Sequence, residues 1–300
     1  MSEWIISVAG TQTGHNFAIV LALAAAVLHA LVSAMQKGWH DPFTSRAAID
    51  LFYGLGTAPL ALFVVPWPEP YMWPIFAGAI AVHSGYKLFQ AMAFSQTALT
   101  VVYPVIRGTG MLITVFAAGI VFGEKFSPIQ WCGVILLLGG LLGLAAYNLA
   151  KEADDRSRLA FALLLSVTTG IFVAGYTTVD AYGIRATANP FTFLAWLFFL
   201  DGFFMPVLAF ARWRRHRFGV RFMELARLGF IGAIVAVTSF GAIMLATRVS
   251  HVGEIAVLRE TSTLFAALIG WFFLKEAVGS RRLVLIAMIA IGAILVETKI

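Results

Sequence analysis

Cysteine occurs once in this 300-residue chain, as Cys132 within an apolar run. That single thiol excludes a disulfide framework and a cysteine-ligated zinc site. Charge is scarce as well. Asp, Glu, Lys and Arg make up 12% of the residues, about half the share of a soluble domain. The reactive clusters of membrane-embedded enzymes are missing: there is no HExxH, no carboxylate-rich metal–diphosphate motif, no legible Ser/His/Asp set and no Gly-rich phosphate loop. The sequence therefore reads as a non-enzyme, with no catalytic residue, metal site or cofactor expected. A channel's filter motif or ring of like groups is lacking too. No basic residue precedes the first apolar stretch of MSEWIISVAGTQTGHN, where Glu3 comes first, so a secretory signal peptide is not read and the opening segment is expected to be retained.

What fills the chain instead is hydrocarbon. Hydrophobic residues account for 60% of it, and the mean hydropathy is +0.89. So little polar surface marks an integral membrane protein, with the lipid bilayer as its surroundings. A net charge of +6 could suggest nucleic acid, but in a membrane chain the first question is where the Lys and Arg lie. No nucleic-acid partner is expected.

A hydrocarbon core of about 30 Å asks for about 20 apolar residues per helix. Ten segments qualify, near 17–35, 47–65, 73–94, 99–122, 130–149, 158–180, 191–210, 226–247, 252–274 and 282–297. The fold class is all-α, because the runs are too long and too unalternated for a β-barrel. Ala- and Gly-rich stretches such as GVILLLGGLLGLAAYN let helix backbones approach closely.

The connections after spans 1, 3, 5, 7 and 9 hold fourteen Lys and Arg, Arg46 among them, whereas the opposite side holds four: Lys125, Arg185, Arg248 and Lys299. The positive-inside rule places the basic loop 211–227 in the cytoplasm and both termini outside a bacterial-type inner (plasma) membrane.

The chain also matches itself. At an offset of 152, Met92 meets Met244, Val105 meets Val257, Arg107 meets Arg259, Thr109 meets Thr261, Leu112 meets Leu264 and Glu124 meets Glu276. Gly140 and Gly292 continue the register, and DPF at 41–43 has a counterpart in NPF at 189–191. Residues 1–150 and 151–300 then form two five-helix repeats. With an odd number of spans in each, the second lies upside down relative to the first, as in many secondary transporters that bind substrate between repeats near the midplane.

Five-span halves with a basic residue early in span 4 and a Glu just after it (FGEKFSPIQWCGVILLLGG and FLKEAVGSRRLVLIAMIAIGAILVE) resemble the EamA branch of the drug/metabolite transporter superfamily from about His29 to Glu297. The stretches LHALVS, YTTVDAYGIR, YPVIRGTG and VLRETST are similar to one EamA subgroup. The resemblance implies alternating access by rocking of the two halves, driven by exchange with a counter-substrate or by a proton gradient. It implies no cofactor. Relatives are usually drawn with both termini in the cytoplasm, opposite to the orientation that the charge count gives here.

Ionisable residues at bilayer depth are costly, and usually face the bundle interior or a wet cavity. Arg107 and Arg259 occupy matched positions, so an inverted bundle can aim both at one central site, where a guanidinium grips a carboxylate or phosphate. Glu260 and Tyr103 accompany them. The other reading of Arg107 is an ion pair with Glu260 or Asp201. Pro104, one turn earlier, can bend the helix or open a polar patch. In span 3, His83, Lys87 and Gln90 share a face, with Tyr86 nearby. Lys87 either neutralises an anionic substrate or snorkels to the interface. Tyr176 and Asp180 share a face in span 6, and Asp180 is a proton or amine site or the partner of Arg185. Asp201 is a possible relay, although Gly202 and Pro206 suggest a broken helix there. His29 sits mid-span, as a proton carrier or bonded to a neighbouring helix. Glu254 and His251 are expected at the interface.

Three buried bases with several acids suggest a small zwitterion or anion, such as an amino acid or organic acid. The alternatives are a lipophilic-cation exporter and, further off, a membrane-embedded enzyme. A monomer is compatible with this reading.

Overall fold

In hydrocarbon every backbone N–H and C=O needs a partner within the protein, so apolar runs of this length fold as helices. A computed structural model describes residues 2–36, 41–96, 99–150, 156–216, 221–265 and 280–298; among these there is no strand. The helices are α1 (Ser2–Val8), α2 (Gln12–Gln36), α3 (Pro42–Pro59, continued by a π-helical turn over Leu60–Val64), α4 (Met72–Gln96), α5 (Leu99–Phe122) and α6 (Pro128–Leu149). The second half supplies α7 (Arg156–Ala186), α8 (Pro190–Asp201), α9 (Phe204–His216), α10 (Phe222–Val249), α11 (Val252–Arg259) and α12 (Ser280–Glu297).

Among the described residues, seven stretches have the length and apolarity of a membrane span, the joined α8–α9 counting as one. Helix α4 is as long as α2, but His83, Lys87 and Gln90 dilute its apolar character, and the apolar part of α12 is shorter, Leu283–Glu297. The short α1 lies outside the ten expected spans. Span 9 is described only to residue 265, so its remainder, Glu276 included, lies outside the described residues.

The paired DPF and NPF motifs have one local cause. Asp41 caps α3, its carboxylate accepting the Thr44 N–H at 3.2 Å, and Asn189 caps α8, its side-chain oxygen accepting the Phe191 N–H at 3.0 Å. In each case proline follows at the first helical position, where its missing N–H costs nothing. The cap at Asp41 also corrects the sequence reading of Arg46. Because α3 begins at Pro42, Arg46 is a buried helical residue rather than a loop cation.

Two spans are interrupted inside the bundle. The break expected at Asp201–Gly202 is present: α8 stops at Asp201 and helix resumes at Phe204. The second break overturns an expectation, since span 9 was read as continuous. Helix α11 ends at Arg259, Glu260 and Thr261 turn, and helix resumes over 262–265. Conversely, α5 runs unbroken through Pro104.

The packing respects an exchange of halves. Helix α4 lies on α7 as α10 lies on α2, α5 lies on α7 as α11 lies on α2, and α6 meets its own counterpart α12. Each half thus buries its apolar faces mainly against the other. Where α3 crosses the first break the backbones nearly touch: a Cβ on Gly202 would sit 2.5 Å from the Gly54 Cα and 2.9 Å from the Asp50 carbonyl oxygen. Gly202→Val is therefore expected to cost about 1–3 kcal/mol by overpacking. A melt of the detergent-purified protein checks this against Gly56→Val, a site on α3 with no atom within 4 Å of the added Cβ, where little change is expected.

Candidate functional site

Two charged clusters lie at the two helix breaks. At the first, Lys87 of α4 is completely buried. Its Nζ stands 2.6 Å from Asp50 Oδ2 and 2.7 Å from Asp201 Oδ2, donates to Tyr53 OH at 2.7 Å and reaches the Asp201 carbonyl at 3.1 Å. Tyr53 in turn donates to Asp201 Oδ2 at 2.6 Å, and Arg46 Nε binds Asp50 Oδ1 at 2.8 Å. An ammonium has three protons, and four oxygens already surround this one. The cluster ties α3, α4 and α8 together and leaves Lys87 no donor for a ligand.

At the second break Arg107 of α5 donates to Glu260 Oε2 at 2.8 Å and to the Arg259 carbonyl at 3.4 Å, an acceptor released where α11 stops. Glu260 is thereby the partner of Arg107, and Asp201 is not. Arg259, only 4% exposed, is the exception among the buried cations. Its Nε has no hydrogen-bond partner, and no carboxylate among the described residues lies within ion-pair distance of it, Glu260 being engaged by Arg107.

Between the clusters lies an aromatic lattice. Each of three arginines faces a tyrosine: Arg46 over Tyr86 at 5.9 Å, Arg107 over Tyr103 at 5.8 Å and Arg259 over Tyr176 at 5.7 Å. Tyr176 meets Tyr86 edge to face at 4.9 Å and tilts against Phe240 at 6.0 Å. His29 touches Phe240 at 6.0 Å and stacks on Tyr103 at 6.4 Å. The matched positions 107 and 259, the tyrosines and His29 are thus brought into one connected network. Asp180 joins it through His83, whose Nε2 lies 2.8 Å from Asp180 Oδ2 and whose ring stacks on Tyr176 at 4.7 Å.

The expected Asp180–Arg185 pair is not formed. Arg185 instead donates to the carbonyls of Thr247 and Ser250 at 2.9 and 2.7 Å, at one pole of the bundle. A cavity of about 440 Å³ opens there, lined by Arg185, Arg248, His15, His251 and Glu124 among others. Glu254, expected at the interface, is buried beneath it and accepts from Gln130 Nε2 at 2.9 Å, while His251 is largely exposed. Glu124 caps α11: its two carboxylate oxygens accept the Val252 and Gly253 N–H groups at 2.6 and 2.9 Å. A charged acceptor at a helix start engages both free amides and the positive end of the helix dipole. Glu124→Gln is expected to lower stability by about 1–2 kcal/mol, read in the same detergent melt.

Sequence reasoning missed Asp50 and Tyr53 and misplaced Arg46. A signal was available, since Arg46 and Asp50 stand four residues apart at the start of a membrane span, the spacing of a helical ion pair. Tyr53 carried none, because a tyrosine in an aromatic-rich helix looks like core. No group of three or more His, Cys, Asp or Glu side chains suited to a metal occurs among the described residues.

The sequence profile of the EamA-like transporter family matches this chain twice, over residues 16–146 and 160–298. The chain belongs to the EamA-like transporter family. As an EamA-like protein it is a multi-pass membrane protein of two repeats, within the drug/metabolite transporter superfamily. The chain is also similar to the uncharacterized protein y4nH of Sinorhizobium fredii (strain NBRC 101917 / NGR234), 31% identical over 77 residues. That match takes in 26% of this chain and 66% of the relative's length. A structure titled "Crystal structure of protein" superposes with a TM-score of 0.71 at 16% identity, covering 94% of this chain and 97% of that one. At that identity the likeness speaks to the fold alone.

Proposed function

We propose that this EamA-like protein is a secondary active transporter, an exporter or exchanger, that moves a small anionic or zwitterionic metabolite such as an amino acid or organic acid. Two five-helix halves of inverted orientation rock about a site at the midplane and expose it to each side in turn. On this reading the basic loop 211–227 is cytoplasmic, the membrane is a bacterial inner membrane, and exchange or a proton gradient supplies the driving force.

The observation that carries the reading is Arg259. A guanidinium stays charged at any physiological pH, and a buried charge is ordinarily paired or faces a path for ions or substrate. The other buried cations, Arg46, Lys87 and Arg107, each have a carboxylate within 2.8 Å. Among the described residues Arg259 has no such carboxylate, only the face of Tyr176. A substrate carboxylate would complete it through two parallel hydrogen bonds. Tyr86, Tyr103 and Tyr176 form walls for the body of the substrate. Arg107, with its carboxylate partner, sets Glu260 beside the site, where it can receive the ammonium of a zwitterion. Lys87 and Asp201 hold the first break together and act as positioning residues.

A lipophilic cation would need an unpaired carboxylate. Asp50, Asp201 and Glu260 are engaged by fixed cations, and Asp180 is held by His83.

The test is a thermal-shift screen of purified protein against amino acids, organic acids, sugar phosphates and lipophilic cations, with Arg259→Gln in parallel. One anionic or zwitterionic class is expected to raise the melting temperature of the parent and to lose that effect in the variant. Counterflow of the same compound into liposomes then demonstrates transport. Stabilisation by cations that persists in Arg259→Gln overturns the proposal.

A further inference from the structure

Among the described residues the buried charges of the membrane interior balance, and the way they balance is uneven. Apart from Glu254 at the pole, the buried charged residues among those described are four cations, Arg46, Lys87, Arg107 and Arg259, and four carboxylates, Asp50, Asp180, Asp201 and Glu260. Arg46 takes Asp50 at 2.8 Å, Lys87 bridges Asp50 and Asp201, and Arg107 takes Glu260 at 2.8 Å. One ion of each sign is left without a permanent counter-ion, Arg259 and Asp180. They flank one side chain. Tyr176 lies under the Arg259 guanidinium on one count and stacks against His83, the partner of Asp180, on the other. Asp180 Oδ1 is buried with no hydrogen-bond partner.

This has a consequence for any anion that enters. If His83 is neutral while the site is empty, Asp180⁻ and Arg259⁺ offset each other across the tyrosine. A monoanion on Arg259 removes that balance and leaves Asp180 as a lone charge in low dielectric, where charge without a partner is strongly unfavourable. One proton on the His83–Asp180 pair, on the imidazole or on the carboxylate, restores neutrality.

We propose that His83 and Asp180 form the proton site of a proton-coupled carrier of carboxylate monoanions, so that one proton is bound with each anion and travels with it. The proposal rests on the anionic reading of the Arg259 site and narrows it. A zwitterion brings its own cation and needs no proton. The other ionisable groups facing the pair are Lys87 and Tyr86 from α4, Tyr176 from α7, Asp201 from α8 and Arg259 from α11. Lys87 and Asp201 are locked to each other at 2.7 Å, and the two tyrosines are phenols, with no carboxylate or imidazole to take the proton. That leaves the imidazole–carboxylate pair to take the proton, and the loaded carrier crosses with no net charge added.

The experiment uses the full chain in detergent with benzoate and lactate as probes. Calorimetric titration in two buffers of different ionisation enthalpy counts the protons taken up on binding. About one per anion is expected, with the apparent Kd rising about tenfold per pH unit above the titration of the empty site, as linkage requires. Asp180→Asn fixes the pair in a neutral form. It is expected to bind as the parent does at low pH, with no proton uptake and no pH slope. His83→Gln, which keeps Asp180 but removes its base, is expected to change the midpoint of the slope. Anion binding without proton uptake, or a slope that survives in Asp180→Asn, overturns the proposal. A ligand-free measurement separates its failure from failure of the anion site. Infrared difference spectra of the empty protein on acidification are expected to show protonation of the pair, imidazole or carboxyl, that Asp180→Asn lacks. If neither probe binds but that signal is present, the Arg259 reading fails and the proton site stands. If the signal is missing, the proton site is gone whatever binds.

Discussion

Lys87→Met is expected to be among the most damaging single substitutions in this protein. The ammonium is shared by Asp50, Asp201 and Tyr53, all within 2.7 Å of one nitrogen and all buried. Methionine fills much of the same volume but leaves Asp201 without a counter-ion and brings two carboxylates face to face. Removing one partner of a buried pair costs about 3–5 kcal/mol because the other is stranded, whereas removing both together is often close to neutral. Lys87→Met combined with Asp201→Asn should therefore recover most of the loss, since Asp50 keeps Arg46 at 2.8 Å. Detergent melts of the single and double variants check this. A Lys87→Met protein as stable as the parent would free the lysine from its structural role and return it to the list of candidate ligand contacts.

The second large effect is a contrast between two residues that the sequence repeat makes equivalent. Arg107→Gln strands Glu260 and should lose about 3–5 kcal/mol of stability, restored in Arg107→Gln with Glu260→Gln. Arg259→Gln breaks no ion pair, because Arg259 has no carboxylate partner among the described residues, and the Asp180 charge it offsets is neutralised by one proton on the His83–Asp180 pair. Its melting temperature should equal or exceed that of the parent, while anion binding falls about 10- to 100-fold with the loss of a charge-assisted hydrogen bond. Stability and binding therefore separate at position 259 and move together at position 107. Melting curves with and without ligand read both quantities. If both arginines behaved alike, the asymmetry between the halves would be wrong.

The helices were legible because long apolar runs have one solution in hydrocarbon, and the repeat was legible because Arg107 and Arg259 stand out against leucine and valine. Gly202 beside Asp201 announced its break correctly. The break after Arg259 was hidden, since VGEIAVLRETST contains neither proline nor a late glycine. The interruption follows from the tertiary structure, where Arg107 donates to the carbonyl that the turn releases. Pro104 does not interrupt α5, as a proline near a helix start has few preceding carbonyls to displace. Partner choice among the charges was beyond reach of spacing. Asp180 had an arginine five residues away in sequence and took His83 from another helix instead. Asp50 went unread for a related reason: four residues from an arginine assigned to a loop, it had no visible partner until α3 was seen to begin at Pro42.

Helix α11 is eight residues long, a rod of about 12 Å. At one end the Glu124 carboxylate grips its first amides. At the other end stands the Arg259 guanidinium. With no hinge between them, such a rod transmits position as a strut does, and a movement at the mouth of the pole cavity reaches the guanidinium. A shift of the cap by even a fraction of a helical turn would carry the guanidinium with it. If Arg259 holds the anion as proposed, opening the mouth and relaxing the grip are a single mechanical event, and a carrier built this way needs no separate signal to tell its centre that the door has moved.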